Sequence, residues 1–328
     1  MAKPDYSFRD IAPGVHFATA SDRYASWLGQ IYSPDKGYKI TKTKKTIKGE
    51  SFSEEKLPVR SVEEYFAHYS ALEIDFTFYA LLLEAGGKPS RNWAPLAEYS
   101  KHIPEDGKVV LKVPEAICAT RRWDFSGGMR KQVENRDYLN PDVFVERFYN
   151  PAMEILGHRI AAFSFEKAYQ RKNSSPPPDD NIIQLQNFFE AIPKDKRYHI
   201  EERTDRLKTP AYFAFLREYG IGNVFSHWTW LPDLRKQWEQ SGGYTSPNLG
   251  ITRLLTPLRV AYEESYARYH PFAELKDEFE TMYRDAAFLI REGLSIELPT
   301  ILVANNRAGG NANEINRRVR DELTRQLL

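Results

Sequence analysis

The sequence has 328 residues, with 46 basic and 45 acidic side chains and a formal net charge of +1. This balance argues against a whole-molecule electrostatic footprint for nucleic acid, although local basic patches remain possible. The single cysteine, Cys118, excludes an intrachain disulfide and suits a reducing compartment. The polar start has no signal-peptide pattern and no apolar run is long enough to cross a bilayer, so we expect a soluble cytoplasmic protein.

Strand and helix patterns alternate along the chain. The predicted strands are 14–19, 72–79, 108–113, 158–165, 198–204, 221–227, 250–255 and 299–304. The predicted helices are 61–70, 142–156, 182–191, 209–219, 233–240, one or two within 257–293, and 312–327. Repeated strand then helix implies parallel pairing, so we predict an α/β fold, a closed (β/α)₈ TIM-type barrel forming one domain over 1–328. A doubly wound open sheet is the alternative.

The long loops predicted after the first and third strands, 20–60 and 121–142, each contain a basic stretch. Residues 39–48 include five lysines, and residues 121–131 mix arginines and a lysine with Trp123 and Phe125. Interleaved basic and aromatic residues can hold single-stranded nucleic acid. The composition favours a solvated, mobile surface for the first stretch and a loop packed onto its own domain for the second.

Two predicted strands carry ionisable side chains at period two. His199, Glu201 and Arg203 share one face of the segment YHIEERT, and Glu73 and Asp75 share one face of LEIDFTFY. In a barrel, inward side chains near the carboxyl ends of the strands line the mouth, where active sites are built. We therefore expect these charges to point inward. The residues expected to face the helices are Leu72, Ile74, Phe76, Phe78 and Ile200.

Several segments are similar, in the same order, to motifs of one known family. They are LEIDFTFY at Leu72–Tyr79, VVLKVP at Val109–Pro114, HIEER at His199–Arg203, VANNRAGG at Val303–Gly310 and, more loosely, the stretch Gly14–Tyr32. Together they resemble the YecE-like family, a bacterial and archaeal group labelled domain of unknown function seventy-two. The resemblance spans nearly the whole chain and implies a TIM-type barrel. It adds little about function, because it implies no reaction.

The chain departs from the family pattern at groups that move protons or bind metals. Thr204 stands where the family has a histidine after the arginine of the fifth strand, and Arg307 stands where it has an aspartate. The seventh-strand motif, matched at 253–256, has lost its histidine, and Asp75 replaces a usual asparagine. The polar groups retained are Glu73, Lys112, Glu201, Arg203, Arg253, Asn305 and Asn306.

Carboxylates at the predicted mouth suggest general acid/base catalysis. Glu201 lies where a barrel enzyme places an acid or base, with Asp75 and Glu73 as further catalytic candidates, and two carboxylates in one pocket can take opposite roles. The expected ligand-binding residues are Lys112, Arg203, Arg253, His227, Asn305 and Asn306. The alternative is that the cations pair with the carboxylates in an internal network that holds the mouth together.

Metal binding is not favoured by the residue spacing. The seven histidines are scattered singly, without HxH, HExxH or paired-cysteine motifs. Glu73, Asp75 and Glu201 would supply oxygen ligands for a divalent metal if they converged, but Lys112 and Arg203 would compete for them. We therefore assign no metal ligands and leave the cofactor open.

Three functions are compatible with these patterns. The first is a hydrolase or lyase acting on a phosphorylated or sugar-like substrate, with Glu201 as acid or base. The second is a barrel that binds such a polar or anionic ligand without turnover, which the missing histidines favour. The third is a nucleic-acid-binding protein that uses stretches 39–48 and 121–131. The sequence leaves the ligand, catalysis itself, metal dependence and the oligomeric state open.

Overall fold

The computed structural model describes residues 5–124 and 131–328. Its strands are β1 (Val15–Thr19), β2 (Thr41–Ile47), β3 (Glu50–Lys56), β4 (Ala71–Ile74), β5 (Lys108–Lys112), β6 (Arg121–Asp124), β7 (Lys131–Glu134), β8 (Ile160–Lys167), β9 (Tyr198–Glu202), β10 (Gly222–His227), β11 (Gly250–Leu254) and β12 (Thr300–Ala304). Its helices are α1 (Val62–His68), α2 (Trp93–His102), α3 (Glu115–Cys118), α4 (Pro141–Phe144), α5 (Asn150–Leu156), α6 (Pro178–Ala191), α7 (Pro210–Glu218), α8 (Leu234–Ser241), α9 (Tyr262–Tyr269), α10 (Glu280–Ser295) and α11 (Ala312–Leu327). None of the described helices is long and apolar enough to cross a membrane.

Within the described residues, eight strands form one parallel sheet in the order β1-β12-β11-β10-β9-β8-β5-β4. A bridge between Ala20 and Glu73 joins the first and last strands, and Ser21 N donates to Glu73 O at 3.1 Å. The sheet is therefore nearly closed. This confirms the TIM-type barrel and excludes the open-sheet alternative.

Side chains alternate between the barrel lumen and the surrounding helices. Small and branched residues fill much of the lumen, including Ala18, Ala71, Val110, Ala162, Val224, Ile251, Ile301 and Val303. His199 also points inward, where it lies against Gly222 and leaves no room for a β-carbon there. Outward residues such as Leu72, Ile200 and Leu302 pack in the main core with the helices. The Glu201 side chain thus points into the lumen and the Ile200 side chain points toward the helices, as predicted.

The second barrel strand is shorter than expected. β4 ends at Ile74, because Asp75 adopts a right-handed helical conformation (φ −92°, ψ −22°) and Phe76–Tyr79 form a 3₁₀ turn. The outward placement of Phe78 was wrong, since its ring lies at the barrel mouth beside Lys112. Phe76 borders the cavity but packs against the main core and Tyr99 of α2. The period-two pattern of the sequence describes residues 71–74 correctly. The same pattern continues through residues 75–79, but there the backbone is helical and no longer extended.

Both basic stretches contain hairpin strands where loops were expected. β2 and β3 pair antiparallel, with Thr41 opposite Lys56 at one end and Ile47 opposite Glu50 at the other. Lys48 and Gly49, which form the turn, both have positive φ. The connection after the first barrel strand, expected as a long loop over 20–60, therefore contains a hairpin, and its strand β2 carries Lys42, Lys44 and Lys45 of the basic stretch. β6 and β7 form a second hairpin. Residues 125–130 of the second basic stretch, including Phe125 and Arg130, lie outside the described residues.

Candidate functional site

A cavity of about 890 Å³ opens at the carboxyl end of the barrel strands. Charged side chains at the strand ends form its inner part, and aromatic side chains form much of its wall. The charged residues are Glu73, Lys112, Glu166, Arg203 and Arg253; the aromatic residues include Tyr24, Phe76, Phe78, Tyr79, Tyr99, Trp228, Tyr262 and Tyr266. This end of the barrel is where TIM-barrel enzymes build their sites.

The charged side chains form one connected network. Arg253 Nη2 lies 2.7 Å from Glu73 Oε1, and Arg253 Nη1 contacts both Glu201 and, at 3.1 Å, Glu166 Oε2. Arg203 reaches Glu166 Oε1 at 2.7 Å and Glu201 Oε1 at 3.0 Å, and Lys112 Nζ lies 2.5 Å from Glu166 Oε2. Three cations are thus matched by three carboxylates. The ion-pair alternative expected Asp75 in this network together with Glu73 and Glu201, whereas the structure has Glu166 there.

The pKa values of the three carboxylates are shifted in different directions by burial and by the neighbouring cations. Burial alone would raise the pKa of Glu166, but Arg203, Lys112 and Arg253 hold its pKa well below the ordinary glutamate value. The pKa of Glu201 is also lowered, because Arg203 and Arg253 outweigh its burial. For Glu73 the effect of burial is larger than the opposing effects of Arg253 and Lys112, so its pKa is raised. Glu166 and Glu201 are therefore ionised at neutral pH, whereas Glu73 holds a proton more readily than an ordinary glutamate.

Glu166 is a site residue that sequence reasoning missed. It contacts all three cations of the network and is 7% exposed. The predicted fourth strand stopped at Phe165, whereas β8 continues to Lys167. Extending the period-two alternation from Ser164 would have found it, since β-strand side chains two apart face the same way.

Carboxylate oxygens without partners border the same cavity. Glu73 Oε2 and Asp22 Oδ2 are buried and have no hydrogen-bond partner among the described residues. Tyr99 donates to Asp22 Oδ1 at 2.6 Å. Burial raises the pKa of Asp22 to about 6, although Arg23 and Tyr99 lower it in part. Asp75 also lines the cavity and accepts a hydrogen bond from Ser21 at 2.8 Å.

The remaining predicted binding residues have different positions. Asn305 lines the cavity, and its Oδ1 accepts from Arg307 N at 3.0 Å. Asn306 is buried and its Oδ1 accepts from Ala312 N at 2.8 Å, so it supports the start of α11. His227 does not join the mouth. It follows the inward-facing Ser226, so its side chain points outward and lines a separate cavity.

The β2–β3 hairpin borders the outer part of the cavity. Phe52 packs edge-on against Tyr266 and His270, with centroid separations of 5.3 and 5.2 Å. Lys45 lies 3.2 Å from Glu54 and above the Tyr266 ring at 4.6 Å. The hairpin is therefore held against α9 and the segment that follows it by both apolar and charged contacts.

Among the described residues, no group of three histidine, cysteine, aspartate or glutamate side chains is placed to hold a metal ion. Glu73 and Glu201, two of the possible oxygen ligands, are instead bound by Arg253.

An eight-stranded parallel barrel with a charged cavity at the carboxyl ends of its strands defines a TIM-barrel protein. A family model described as protein of unknown function DUF72 matches residues 42–327, so the chain belongs to this family, as its resemblance to the YecE-like group predicted.

Solved structures of this family have the same fold. A DUF72 family protein from Enterococcus faecalis is 16% identical, with a TM-score of 0.57 over 94% of this chain and 95% of that chain. A DUF72 family protein from Thermotoga maritima is also 16% identical, with a TM-score of 0.53 over 95% and 98%. At this identity the likeness shows the fold alone. A search of curated proteins found no match.

Proposed function

We propose that the protein binds a polar, anionic small molecule, a phosphate- or sugar-containing compound, at the barrel mouth. The observation that carries this proposal is a cavity of about 890 Å³ whose charged inner end is surrounded by aromatic side chains. Pockets for small molecules combine such apolar walls with a few placed polar groups. Charged donors favour an anionic group, and aromatic faces favour a ring.

Lys112 and Arg203 are the cations best placed to contact this ligand. Lys112 Nζ lies 4.3 Å from the centroid of Phe78, and the Arg203 guanidinium lies 4.8 Å from that of Trp228. The Lys112 ammonium group has three N–H donors and contacts one carboxylate oxygen, that of Glu166. The Arg203 guanidinium contacts Glu166 through Nη1 and Glu201 through Nε, which leaves the donors of Nη2. Both cations therefore keep donors while their aromatic neighbours orient them at the cavity wall.

A catalytic role as a hydrolase or lyase is a second candidate, favoured by Glu73 Oε2, which has no hydrogen-bond partner among the described residues. Glu201 was the first choice from the sequence, but it is already bound by Arg203, Arg253 and Ser226. We propose that Glu201 orients the arginines, that Glu73 donates a proton through Oε2, and that Asp75 accepts one. Binding without turnover remains the alternative.

The nucleic-acid alternative gains no support from the first basic stretch. Lys42 lies 2.6 Å from Glu55, and Lys45 and Lys56 lie 3.2 and 3.3 Å from Glu54. Lys42 and Lys45 on β2 are therefore partly neutralised by carboxylates of β3, and Lys56 is partly neutralised by Glu54 of its own strand.

Calorimetric titration with inorganic phosphate and a panel of sugar phosphates tests the binding proposal. A ligand should bind the native protein, and Lys112→Met should weaken it about tenfold or more, because a hydrogen bond to a charged group is lost. Lys101→Met is the matched control, since Lys101 is 67% exposed and pairs with its helix neighbour Glu98. Absence of binding by every compound, or equal affinity in both variants, would overturn the proposal.

Turnover is tested separately with the compound that binds. Asp75→Asn should leave its affinity within about threefold, since a neutral group of the same shape replaces a carboxylate, and should abolish any conversion detected with the native protein. Unchanged conversion in this variant would exclude Asp75 as the base. Absence of conversion in the native protein would leave ligand binding as the function.

A further inference from the structure

A second cavity, of about 560 Å³, lies near the end of β10 and shares no lining residue with the barrel mouth. It is bordered by the start of α8, the segment 257–260 and the start of α10. Its lining residues include His227, Asp233, Asp285, Glu278 and Glu280. Neither proposed role of the barrel mouth uses these residues.

His227 presents a hydrogen-bond acceptor to this cavity. Its Nδ1 lies 2.9 Å from the carbonyl oxygen of Thr256, which can only accept, so Nδ1 carries the proton. Burial lowers the pKa of His227 to about 4, so the ring is neutral at pH 7 and Nε2 keeps its lone pair. Nε2 has no hydrogen-bond partner in the described chain, and the residue is only 6% exposed.

Asp285 is the second buried polar group at this cavity. It is 6% exposed and lies beside Arg235. Burial raises its pKa, opposed by Arg235. Asp233 lies nearby, and its Oδ1 accepts from Lys236 N at the start of α8. Arg268, a cation in the lining, is paired with Asp277 at 2.8 Å.

Apolar side chains complete the lining. They are Pro257, Leu258, Val260, Phe279 and Met282. An acceptor nitrogen and carboxylates beside such a wall suit a cation that donates hydrogen bonds and carries an aliphatic chain. They do not suit a bare metal ion, because no three ligating groups in the described parts of the chain converge on a point.

We propose that this cavity is a binding site for an alkylammonium cation. The ammonium group donates to His227 Nε2 and to the carboxylate of Asp285, with Asp233 adding negative charge. The alkyl chain lies along the apolar wall formed by Leu258, Val260 and its neighbours. The site would act independently of the barrel mouth, so failure of either proposal leaves the other standing.

Calorimetric titration with 1,4-diaminobutane tests the site. The diamine should bind the native protein, and Asp285→Asn should weaken binding about tenfold or more, because a charge-assisted hydrogen bond is lost. Glu105→Gln is the control, since Glu105 is 83% exposed, pairs with His158 and does not line this cavity. Its affinity should equal that of the native protein. 1-Butanol, which has a similar chain without charge, should not bind.

A second variant keeps the test decisive if Asp285→Asn does not fold. Glu280 lies at the cavity and is exposed, so Glu280→Gln should fold and should weaken the diamine about twofold to fivefold through lost charge. No heat with the diamine, or equal affinity in all variants, would overturn the proposal. Zinc or magnesium ions that bind more tightly than the diamine and compete with it would identify a metal site instead.

Discussion

Arg253 on β11 donates a hydrogen bond to Glu73 on β4, with Nη2 and Oε1 2.7 Å apart. The two strands are not neighbours in the sheet, and 180 positions separate the residues in the sequence. Both side chains are almost wholly buried, at 3% and 0% exposure. The contact therefore spans the lumen and joins β11 to β4.

Replacing Arg253 with methionine should lower the free energy of unfolding by about 3–5 kcal/mol. The reason is that the buried carboxylates of Glu73 and Glu201 would lose their shared partner. Denaturant unfolding monitored by circular dichroism measures the change. Arg325→Met is the control, because Arg325 is 73% exposed in its pair with Glu322 and should cost less than about 1 kcal/mol. Equal losses in the two variants would contradict a structural role for the buried network.

Acid should destabilise the native protein partly through Glu166. Its pKa is lowered in the folded state, so the unfolded chain binds the proton more tightly. The resulting stabilisation is complete above the ordinary glutamate pKa of 4.5 and is lost as the pH falls below it. In Glu166→Gln the free energy of unfolding should therefore fall less steeply below about pH 4.5. Urea unfolding across a pH series measures the slope, and an unchanged slope would show that Glu166 is not held ionised.

Asp22 should have the opposite effect on stability. Its folded-state pKa is raised to about 6, so the folded protein binds this proton more tightly than the unfolded chain does. Its ionised form destabilises the fold above about pH 6, and this cost disappears as the pH falls toward the ordinary aspartate pKa. Asp22→Asn should raise the free energy of unfolding at pH 8 by about 1–3 kcal/mol, because asparagine keeps an acceptor for Tyr99.

The comparison with an exposed aspartate isolates this effect. Asp35→Asn should leave stability within about 0.5 kcal/mol at every pH, since Asp35 lies on the surface. A native protein whose stability does not decrease between pH 4 and pH 6 relative to Asp22→Asn would argue that Asp22 is not protonated in this range.

The β2–β3 hairpin should open more readily when Phe52 is shortened. Phe52→Ala removes the contacts with Tyr266 and His270, so amide hydrogen exchange over 41–56 should accelerate while exchange in β9 to β11 stays the same. Hydrogen exchange read by mass spectrometry checks this. Lys42→Ala on the same hairpin is the control, because Lys42 is 68% exposed and should change exchange little. Acceleration throughout the barrel would instead indicate global destabilisation.

Sequence patterns predicted the residues of the site better than their contacts. The inward positions of Glu73, Glu201 and Arg203 follow from period-two alternation, which is a local property of a strand. Glu166 was missed because the predicted strand ended at Phe165, two residues before the end of β8. The β2–β3 hairpin was missed because its strands are largely polar and exposed, so they lack the alternation that marks a half-buried strand.

The sequence by itself determined the barrel, since eight strand patterns separated by helical ones leave few parallel arrangements for a chain of this length. It also determined that Glu73, Glu201 and Arg203 point inward, although it missed Glu166. Only the tertiary structure decided which charges meet, because Arg253 reaches Glu73 across the lumen, from a strand that does not neighbour β4. It also placed His227 outside the mouth, because one residue along a strand reverses the direction of the side chain.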